Sequence, residues 1–215
     1  PKVGHESDDL EQMTDVIIRQ TGDLRRIVDE FSKFARMPEP DRKDHDLAKL
    51  VRDAVTLQRL GQPNVDIQLV APEGAVAAEL DDTMISQAMT NLIKNAGEAI
   101  ETLVEKGAPD DLVAQIVVTM EETPSHVLIS IADNGIGLPE DRASLFEPYV
   151  TTRSEGTGLG LPIVKKIIEE HGGTLQLEHA PVFDGQSHYG AMAVIKLPLA
   201  PPVIAAAHKI KEVTP

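Results

Sequence analysis

Two asparagines stand one helical turn apart in a segment that the sequence predicts to be helical. The helix is predicted to begin at Asp81 or Asp82, where an aspartate can cap the first turn, and to continue to about Glu105. Asn91 and Asn95 flank its apolar stripe, so their amides can border a pocket. An amide oxygen is a hard, neutral ligand that suits Mg²⁺ already carrying phosphate oxygens. Taken alone, the pair is more typical of the exposed side of an ordinary amphipathic helix.

A single carboxylate follows an apolar, β-branched segment further along the chain. Asp133 comes directly after the predicted strand 126–132, and Gly135 and Gly137 follow it closely. Glycines let a backbone approach a flat ligand, and a carboxylate in apolar surroundings can accept a hydrogen bond from an exocyclic amine such as that of adenine. A plain Asp-Asn-Gly turn has the same letters, so this signal is also weak by itself.

A third segment alternates glycines with other residues where a helix is predicted to start. It reads Gly156-Thr157-Gly158-Leu159-Gly160-Leu161. Exposed backbone N–H groups next to a helix N-terminus form a cradle for phosphate. The segment lacks the Lys-Ser/Thr of a P-loop, and a glycine-rich string is often only a flexible loop.

The segment between the second and third motifs suits a lid. Phe146 can pack down as an aromatic anchor, and the hydroxyl-rich basic end Thr151-Thr152-Arg153 can reach a terminal phosphate. A surface loop with two aromatic residues is the plainer interpretation. The order of all four segments within residues 91–161 is much more informative than any one of them.

Apolar periodicity predicts the elements that would position these segments. Besides the asparagine-bearing helix, helices are predicted over 46–60 and 161–171. Strands are predicted over 65–70, 76–80, 112–120, 126–132, 174–178 and 191–197. Because strands and helices do not alternate strictly, the pattern favours an α+β fold in which one layer of helices covers a mixed sheet.

Residues 7–36 are predicted to form one long helix with an apolar seam. The seam recurs in steps of three and four residues: Leu10, Met13, Ile17, Gln20, Leu24, Ile27, Phe31 and Phe34. A single helix cannot bury such a seam, so a helical hairpin or a homodimer is favoured over packing on its own domain. Pro38 and Pro40 end the helix and mark a hinge. We therefore expect a helical segment with linker over 1–40, a globular domain over 41–200 and a tail over 201–215.

Composition limits the classes of function. The 215 residues carry a formal net charge of −15, which repels nucleic acid and anionic membranes, so neither is expected as a partner. There are no cysteines, which fits a reducing compartment, and no apolar run approaches the length of a membrane-spanning helix. The chain begins at Pro1, and we expect a cytoplasmic fragment of a longer parent that is either soluble or membrane-anchored.

In this order, the four segments resemble the N, G1, F and G2 boxes of the ATP-binding domain of sensor histidine kinases. These kinases belong to the GHKL superfamily together with Hsp90, gyrase B and MutL. The resemblance covers residues 44–198, and with residues 26–38 it points to the nitrogen-regulation kinases of the NtrY/NtrB type. It implies a Bergerat-type α+β sandwich, preceded here by one helix of a dimerisation hairpin.

The resemblance also implies a role for each motif residue. Asn95 would coordinate Mg²⁺ and Asn91 would support the phosphate region of ATP. Asp133 would bind the adenine amine in a pocket shaped by Gly135 and Gly137. The phosphates would be held by the glycine-rich segment, namely Gly156, Thr157, Gly158, Leu159, Gly160 and Leu161. The mobile lid would include Thr151, Thr152 and Arg153.

The implied activity is transfer of the γ-phosphoryl group to a histidine on the hairpin, for relay to an aspartate of a response-regulator receiver domain. Hydrolytic members of the superfamily carry a glutamate where this chain has Asn91, and an amide cannot act as a general base, so poor hydrolysis is expected. The phosphoacceptor motif His-Glu-x-Lys/Arg-x-Pro is missing; His5-Glu6 lacks the basic residue and the proline. We therefore expect no catalytic histidine in this fragment, whose partners would be its missing hairpin helix and a second protomer.

Two alternatives remain open from the sequence. The chain could be a scaffold that senses ATP without transferring phosphate and signals through the seam of residues 10–34. It could also be a serine kinase or a hydrolytic member of the superfamily, although Asn91 and the hairpin-like helix weigh against both.

Overall fold

The computed structural model describes residues 36–150 and 157–199, and in the N-terminal part residues 13, 14, 16–22, 24, 25, 28 and 32. Three helices lie in the globular part: α1 (Leu47–Gly61), α2 (Asp82–Gly107) and α3 (Gly160–Glu170). Seven strands accompany them: β1 (Lys43–Asp46), β2 (Asp66–Val70), β3 (Ala77–Leu80), β4 (Gln115–Glu122), β5 (His126–Asp133), β6 (Thr174–His179) and β7 (Ala191–Pro198). A 3₁₀ turn spans Ala143–Phe146.

The main sheet has five strands in the order β2-β4-β5-β7-β6. Strands β2 and β4 pair in parallel, whereas the other three pairs are antiparallel. Strands β1 and β3 form a separate antiparallel ribbon in which Lys43 stands opposite Leu80. The sheet is therefore mixed, as the sequence predicted.

The two central strands alternate between a fully buried face and a half-buried one. The buried row comprises Ile116, Val118 and Met120 of β4 and Val127, Ile129 and Ile131 of β5. On the opposite face the hydroxyls of Thr119 and Ser130 face each other across the ladder at 2.5 Å. This period of two is the expected consequence of one sheet face packing on helices.

The three helices form a single layer, with α2 in contact with both α1 and α3 and with β4 and β5. Helix α2 begins where the side chain of Asp81 accepts a hydrogen bond from the N–H of Met84, at 3.0 Å. Its buried stripe includes Ile85, Met89 and Ile93, all fully inaccessible to solvent. The α+β sandwich with one helical layer is thus confirmed.

Every described residue between 13 and 32 is helical, as the apolar seam predicts. The apolar side chains among them are exposed: Met13, Val16, Ile17, Ile18, Leu24 and Val28. The seam positions Leu10, Ile27, Phe31 and Phe34, and also His5, lie outside the described residues. In the described part of the chain, no helix combines the length and apolar character needed to cross a bilayer.

The predicted elements were found with three differences. Strand β1 was not predicted, because its sequence Lys-Asp-His-Asp has no apolar alternation and its pairing with β3 is a tertiary contact. The 3₁₀ turn at Ala143–Phe146 was not predicted either. Strand β4 begins at Gln115 rather than at residue 112, since exposed Val113 uses its carbonyl to accept a side-chain hydrogen bond from Asn134.

The turn that ends α3 leaves no room for a side chain at Gly173. A methyl group at Gly173 would lie 2.5 Å from the carbonyl oxygen of Lys196 and 2.9 Å from Cδ2 of Leu197. We expect Gly173→Ala to lower the free energy of unfolding by about 1–3 kcal/mol, as overpacking of a close-packed interior does. Urea-induced unfolding measures the change. At Gly61, by contrast, a methyl group would meet nothing within 4 Å, so Gly61→Ala is the control and should be neutral or slightly stabilising. Equal losses in both variants would contradict the steric explanation.

Candidate nucleotide-binding site

Strand β5 delivers Asp133 to the helix-facing side of the sheet. Asp133 continues the buried row of Val127, Ile129 and Ile131, and only 5% of its surface is exposed. The strand register places it opposite Ile116 of β4. Burying a carboxylate among apolar side chains lowers the stability of the fold, and such groups are found preferentially at functional sites. The position of Asp133 therefore marks it as a candidate binding group.

Two backbone amides hold this carboxylate through one of its oxygens. Oδ1 of Asp133 accepts hydrogen bonds from the N–H of Gly135 at 2.8 Å and from that of Ala191 at 3.2 Å. Burial is the largest influence and raises the pKa of Asp133 to about 6, while the two amides and nearby His188 act in the opposite direction. The group is therefore ionised at neutral pH, although it is held in a poorly solvated place.

Gly135 brings the turn after β5 directly against the backbone of α2. A methyl group at Gly135 would lie 2.5 Å from the carbonyl carbon of Ala99 and 2.6 Å from the nitrogen of Ile100. The next residue, Ile136, donates its N–H to the carbonyl of Ala99 at 3.2 Å. Only glycine fits here, so this turn and the middle of α2 form one wall.

A further segment, which the sequence motifs did not indicate, closes the other side of Asp133. A methyl group at Gly190 would lie 2.4 Å from both Oδ1 and the carbonyl oxygen of Asp133. Nε2–H of His188 donates a hydrogen bond to the carbonyl oxygen of Gly135 at 2.8 Å. Gly137 has a positive φ of 73° and faces the carbonyl of Gly190. A glycine before the apolar strand 191–197 was the one signal in the sequence that could have marked this contact.

Asn134 ties the same turn to two distant loops. It is 1% exposed, and its Oδ1 accepts from the N–H of Gln115 at 3.0 Å. Its Nδ2 donates to the carbonyl of Val113 and to the side chain of Gln186, each at 2.7 Å. The residue was predicted only as part of a turn, yet it fixes the start of β4 and the loop before β7.

Asn95 lies beside the glycine-rich turn. A methyl group at Gly160, the first residue of α3, would lie 3.7 Å from Nδ2 and 3.8 Å from Oδ1 of Asn95. Asn95 is half-buried, as is Asn91 one turn earlier on the same helix. Because residues 95 and 99 are also one turn apart, α2 carries the amide next to the turn after β5.

The rest of the glycine-rich turn packs closely against the segment before it and against the core. Gly158 has a positive φ of 68°, and a methyl group there would lie 2.6 Å from the carbonyl carbon of Tyr149. Leu159 is fully buried, whereas Thr157 and Leu161 are half-buried. Gly156 lies outside the described residues, together with the lid residues Thr151, Thr152 and Arg153.

Phe146 packs partly buried against the core, as an anchor at the base of a lid would. The Nζ of Lys165 on α3 lies 5.0 Å from the centre of its ring. Phe146 also forms part of the wall of an open cleft of about 410 Å³. The cleft is lined by Arg142, Ala143, Phe146, Leu175, Gln176, Leu177 and Glu178. None of the residues predicted to bind nucleotide lines that cleft.

A family model described as "Histidine kinase-, DNA gyrase B-, and HSP90-like ATPase" matches residues 80–201. The nitrogen regulation protein NtrY of Azorhizobium caulinodans is 49% identical over 175 residues, which are 80% of this chain and 22% of NtrY. The sensor histidine kinase ZraS of Escherichia coli K12 is 30% identical over 77% of this chain and 34% of its own length. The chain thus spans between a fifth and about a third of these relatives.

Among solved structures, the histidine kinase ThkA in complex with the response regulator protein TrrA superposes with a TM-score of 0.65. The two are 26% identical, and the match covers 89% of this chain and 52% of ThkA. The chain therefore belongs to the family of histidine kinase-, DNA gyrase B- and HSP90-like ATPases. Within that family it is similar to the sensor histidine kinases of the NtrY type, as the sequence motifs predicted.

The titration of Asp133 tests the electrostatic description of the site. We expect its carboxyl carbon to titrate in a ¹³C NMR experiment with a midpoint of about 6, against 3.8 for an ordinary aspartate. Because the folded state holds this proton more tightly than the unfolded state, the stabilising contribution is complete below pH 3.8 and is lost as the pH rises through about 6.

The interval between these two values corresponds to about 3 kcal/mol of unfolding free energy. Relative to Asp133→Asn, which cannot titrate, the unsubstituted protein should therefore lose about 2 kcal/mol of this between pH 4 and pH 7, since at pH 4 the unfolded carboxyl is already partly ionised. Denaturant unfolding at the two pH values measures it. A midpoint near 4 with parallel pH profiles would show that the carboxylate is well solvated.

Proposed function

We propose that this chain is the ATP-binding catalytic domain of a two-component sensor histidine kinase. In the parent protein it would transfer the γ-phosphoryl group of Mg-ATP to a histidine on the dimerisation hairpin. Family membership and the names of the relatives support a nucleotide-binding domain of this class. The phosphoryl transfer and its acceptor are inferences from the motifs and their arrangement.

One observation supports the proposal most directly: three separate predicted motifs meet on a short stretch of α2. Asn95 of α2 lies against Gly160, and Ala99, one turn later, lies against Gly135. Gly135 in turn binds the carboxylate of Asp133 through its N–H. A carboxylate, an amide and a glycine-rich helix start are thus brought together from positions far apart in the sequence.

At the adenine end, Asp133 would accept a hydrogen bond from the exocyclic amine. Both backbone amides that bind this carboxylate in the described structure use Oδ1, so Oδ2 is the oxygen proposed to meet the ligand. An ionised acceptor in poorly solvated surroundings makes a stronger bond than one in water. Gly135 and Gly137 would give the purine ring room against the backbone.

At the phosphate end, Asn95 would coordinate Mg²⁺ through its amide oxygen, and Asn91 would support the phosphates. Backbone N–H groups of the glycine-rich segment and the N-terminus of α3 would bind phosphate oxygens, with Gly158 in the left-handed conformation that a cradle of amides requires. We propose that the phosphates are also bound by Gly156 and by the lid residues Thr151, Thr152 and Arg153. These four residues lie outside the described residues.

Transfer is favoured over hydrolysis because Asn91 cannot deprotonate water. In such a domain, positioning and neutralisation of the phosphates carry most of the rate. The attacking imidazole would come from a hairpin helix of the parent, where two protomers would pair through the seam of residues 10–34. A response-regulator receiver domain is the proposed final acceptor, and the ThkA–TrrA complex is a precedent among the relatives.

We propose the domain boundaries on the same basis. Residues 1–40 would be the C-terminal part of the hairpin with its linker, 41–200 the catalytic domain and 201–215 a tail. The first strand begins at Lys43 and the last ends at Pro198, so both lie inside the proposed domain. The reaction would take place in the cytoplasm, where ATP and receiver domains are found.

Calorimetric titration with a non-hydrolysable ATP analogue tests the binding site. We expect Asp133→Asn to weaken binding by about 10- to 100-fold, because a hydrogen bond to a charged acceptor contributes about 1.5–3 kcal/mol. Asn95→Ala should remove most of the difference in affinity between titrations with and without Mg²⁺. The exposed residues Asp44 and Asn64 provide matched controls, since Asp44→Asn and Asn64→Ala should bind like the unsubstituted chain. Unaltered binding by Asp133→Asn would contradict the assigned adenine contact.

Phosphoryl transfer can be tested by supplying the acceptor separately. A hairpin peptide with the motif His-Glu-x-Arg-x-Pro, mixed with this chain and γ-labelled ATP, should become labelled on its histidine. The chain alone should stay unlabelled, and Asn95→Ala should reduce the labelling rate by at least about tenfold, since even groups that only orient metal ligands contribute about 10- to 100-fold to metal affinity or activity. Binding of ATP without any phosphohistidine would support the scaffold alternative instead. Label on the chain itself would show that the acceptor had been misjudged.

A further inference from the structure

His171 is a buried histidine that the proposed site does not use. It follows the last residue of α3 and is 4% exposed. Nδ1 lies 2.7 Å from the carbonyl oxygen of Ile167, and Nε2 accepts a hydrogen bond from the N–H of Asp81 at 3.0 Å. A carbonyl can only accept and an amide N–H can only donate, so the ring is neutral and carries its proton on Nδ1.

The residue that His171 binds is the one that starts α2. Oδ1 of Asp81 caps the helix by accepting from Met84, and Oδ2 accepts from the N–H of Asp41, both at 3.0 Å. Arg42 donates to the carbonyl of Glu170, next to His171. The imidazole therefore joins the end of α3, the start of α2 and the segment that enters the domain.

Helices α2 and α3 run antiparallel and meet at a second point. His171 at the end of α3 contacts Asp81 at the start of α2, whereas Gly160 at the start of α3 lies against Asn95 further along α2. At 1.5 Å per residue, the two contacts are separated by about 17 Å along α3 and about 21 Å along α2. If α3 shifts along its axis, the contact between His171 and Asp81 and the contact between Gly160 and Asn95 therefore change together.

We propose that His171 is a positioning residue of the nucleotide site. Its neutral, Nδ1-protonated ring fixes α3 along the axis of α2 and so holds the Gly158–Gly160 turn against Asn95. The inference rests on the proposed function, because only phosphate binding gives that alignment a purpose. His171 acts on the phosphate end alone, because the shift it prevents is one of α3, whereas Asp133 belongs to β5 and its Oδ1 is bound by the N–H groups of Gly135 and Ala191.

The charged groups around the ring favour its neutral state on balance. Burial is the largest influence and lowers the pKa of His171, and Arg42 acts in the same direction. The carbonyl of Ile167 and the carboxylates of Asp81 and Glu170 oppose it. Asp41, Asp82 and Lys43 are further charged groups near Asp81. Protonation would turn Nε2 into a donor facing the N–H of Asp81. Because burial lowers the pKa of the folded-state ring below its ordinary value of 6.5, the joint is complete at and above pH 6.5 and is lost only as the pH falls through that lowered pKa.

Two substitutions separate positioning from simple support. His171→Phe keeps the bulk but leaves the Asp81 N–H without an acceptor, whereas the amide oxygen of His171→Gln can take the place of Nε2 and does not titrate. We expect His171→Phe to weaken binding of the ATP analogue with Mg²⁺ on the order of tenfold, as loss of the partner of a buried donor does. Adenosine affinity should change less than about twofold, and His171→Gln should restore the analogue. His126→Phe, at the opposite end of β5 from Asp133, is the control.

Three further readouts make the result decisive. In the absence of nucleotide, hydrogen exchange of the Asp81 amide should be on the order of tenfold faster in His171→Phe and normal in His171→Gln. As the pH falls through the lowered pKa of His171, below 6.5, analogue affinity should fall more steeply in the unsubstituted protein than in His171→Gln. A ¹⁵N spectrum of the unsubstituted protein should show Nε2 unprotonated; this measurement and the His171→Gln pH profile decide the matter if His171→Phe does not fold.

An equal loss of analogue and adenosine binding would overturn the proposal, because it would indicate general destabilisation. Unchanged analogue binding in His171→Phe, or a protonated Nε2, would overturn it as well. If the unsubstituted protein bound neither ligand, the proposed function would fail, and the exchange of the Asp81 amide would still report on the joint between the helices.

Discussion

The candidate site depends on how closely other segments can approach α2. Gly135 leaves no room for a methyl group against the backbone of Ala99 and Ile100, and a methyl group at Gly160 would be in van der Waals contact with Asn95, at 3.7 Å. A side chain at Gly135 would overlap backbone atoms that cannot move without unwinding the helix. Close approach makes α2 the common wall of a site whose other parts come from β5 and from the start of α3. Asn91 and Asn95 can contribute to the site because the helix that carries them also contacts the turn after β5 and the start of α3.

The buried carboxylate shows what this arrangement costs. The alternation of β5 places Asp133 in a row of isoleucines and a valine, where burial outweighs two amide hydrogen bonds and raises its pKa to about 6. Replacing it with an apolar residue would remove that penalty, so stability alone does not explain its presence. A local conflict between sequence and surroundings is expected where a group serves a ligand rather than the fold.

Local patterns predicted much of this molecule, and long-range contacts account for the rest. The helices that carry Asn95 and follow Gly160 were evident because their apolar stripes repeat with helical spacing. Gly190 was overlooked because its role arises only when β7 pairs with β5 and brings it against Asp133, which lies far away in sequence. Asn134 was taken for a turn residue for the same reason. Its partners Val113, Gln115 and Gln186 are identified only by the folded chain.

The two ends of the site are held by different kinds of structure, and this difference has consequences for control. The carboxylate end is fixed by sheet register, which cannot change without breaking the ladder, and by the N–H of Gly135, which binds Oδ1 of Asp133. The glycine-rich end is positioned by the contact of two helices and by residues in left-handed conformations such as Gly158, so small shifts of α3 are possible there. Because Asp41 and Arg42 are bonded at the far ends of the same two helices, movement of the entering segment would reach the glycine-rich end first. A domain built in this way can hold the part of a ligand at the carboxylate end in place while the part at the glycine-rich end changes its alignment.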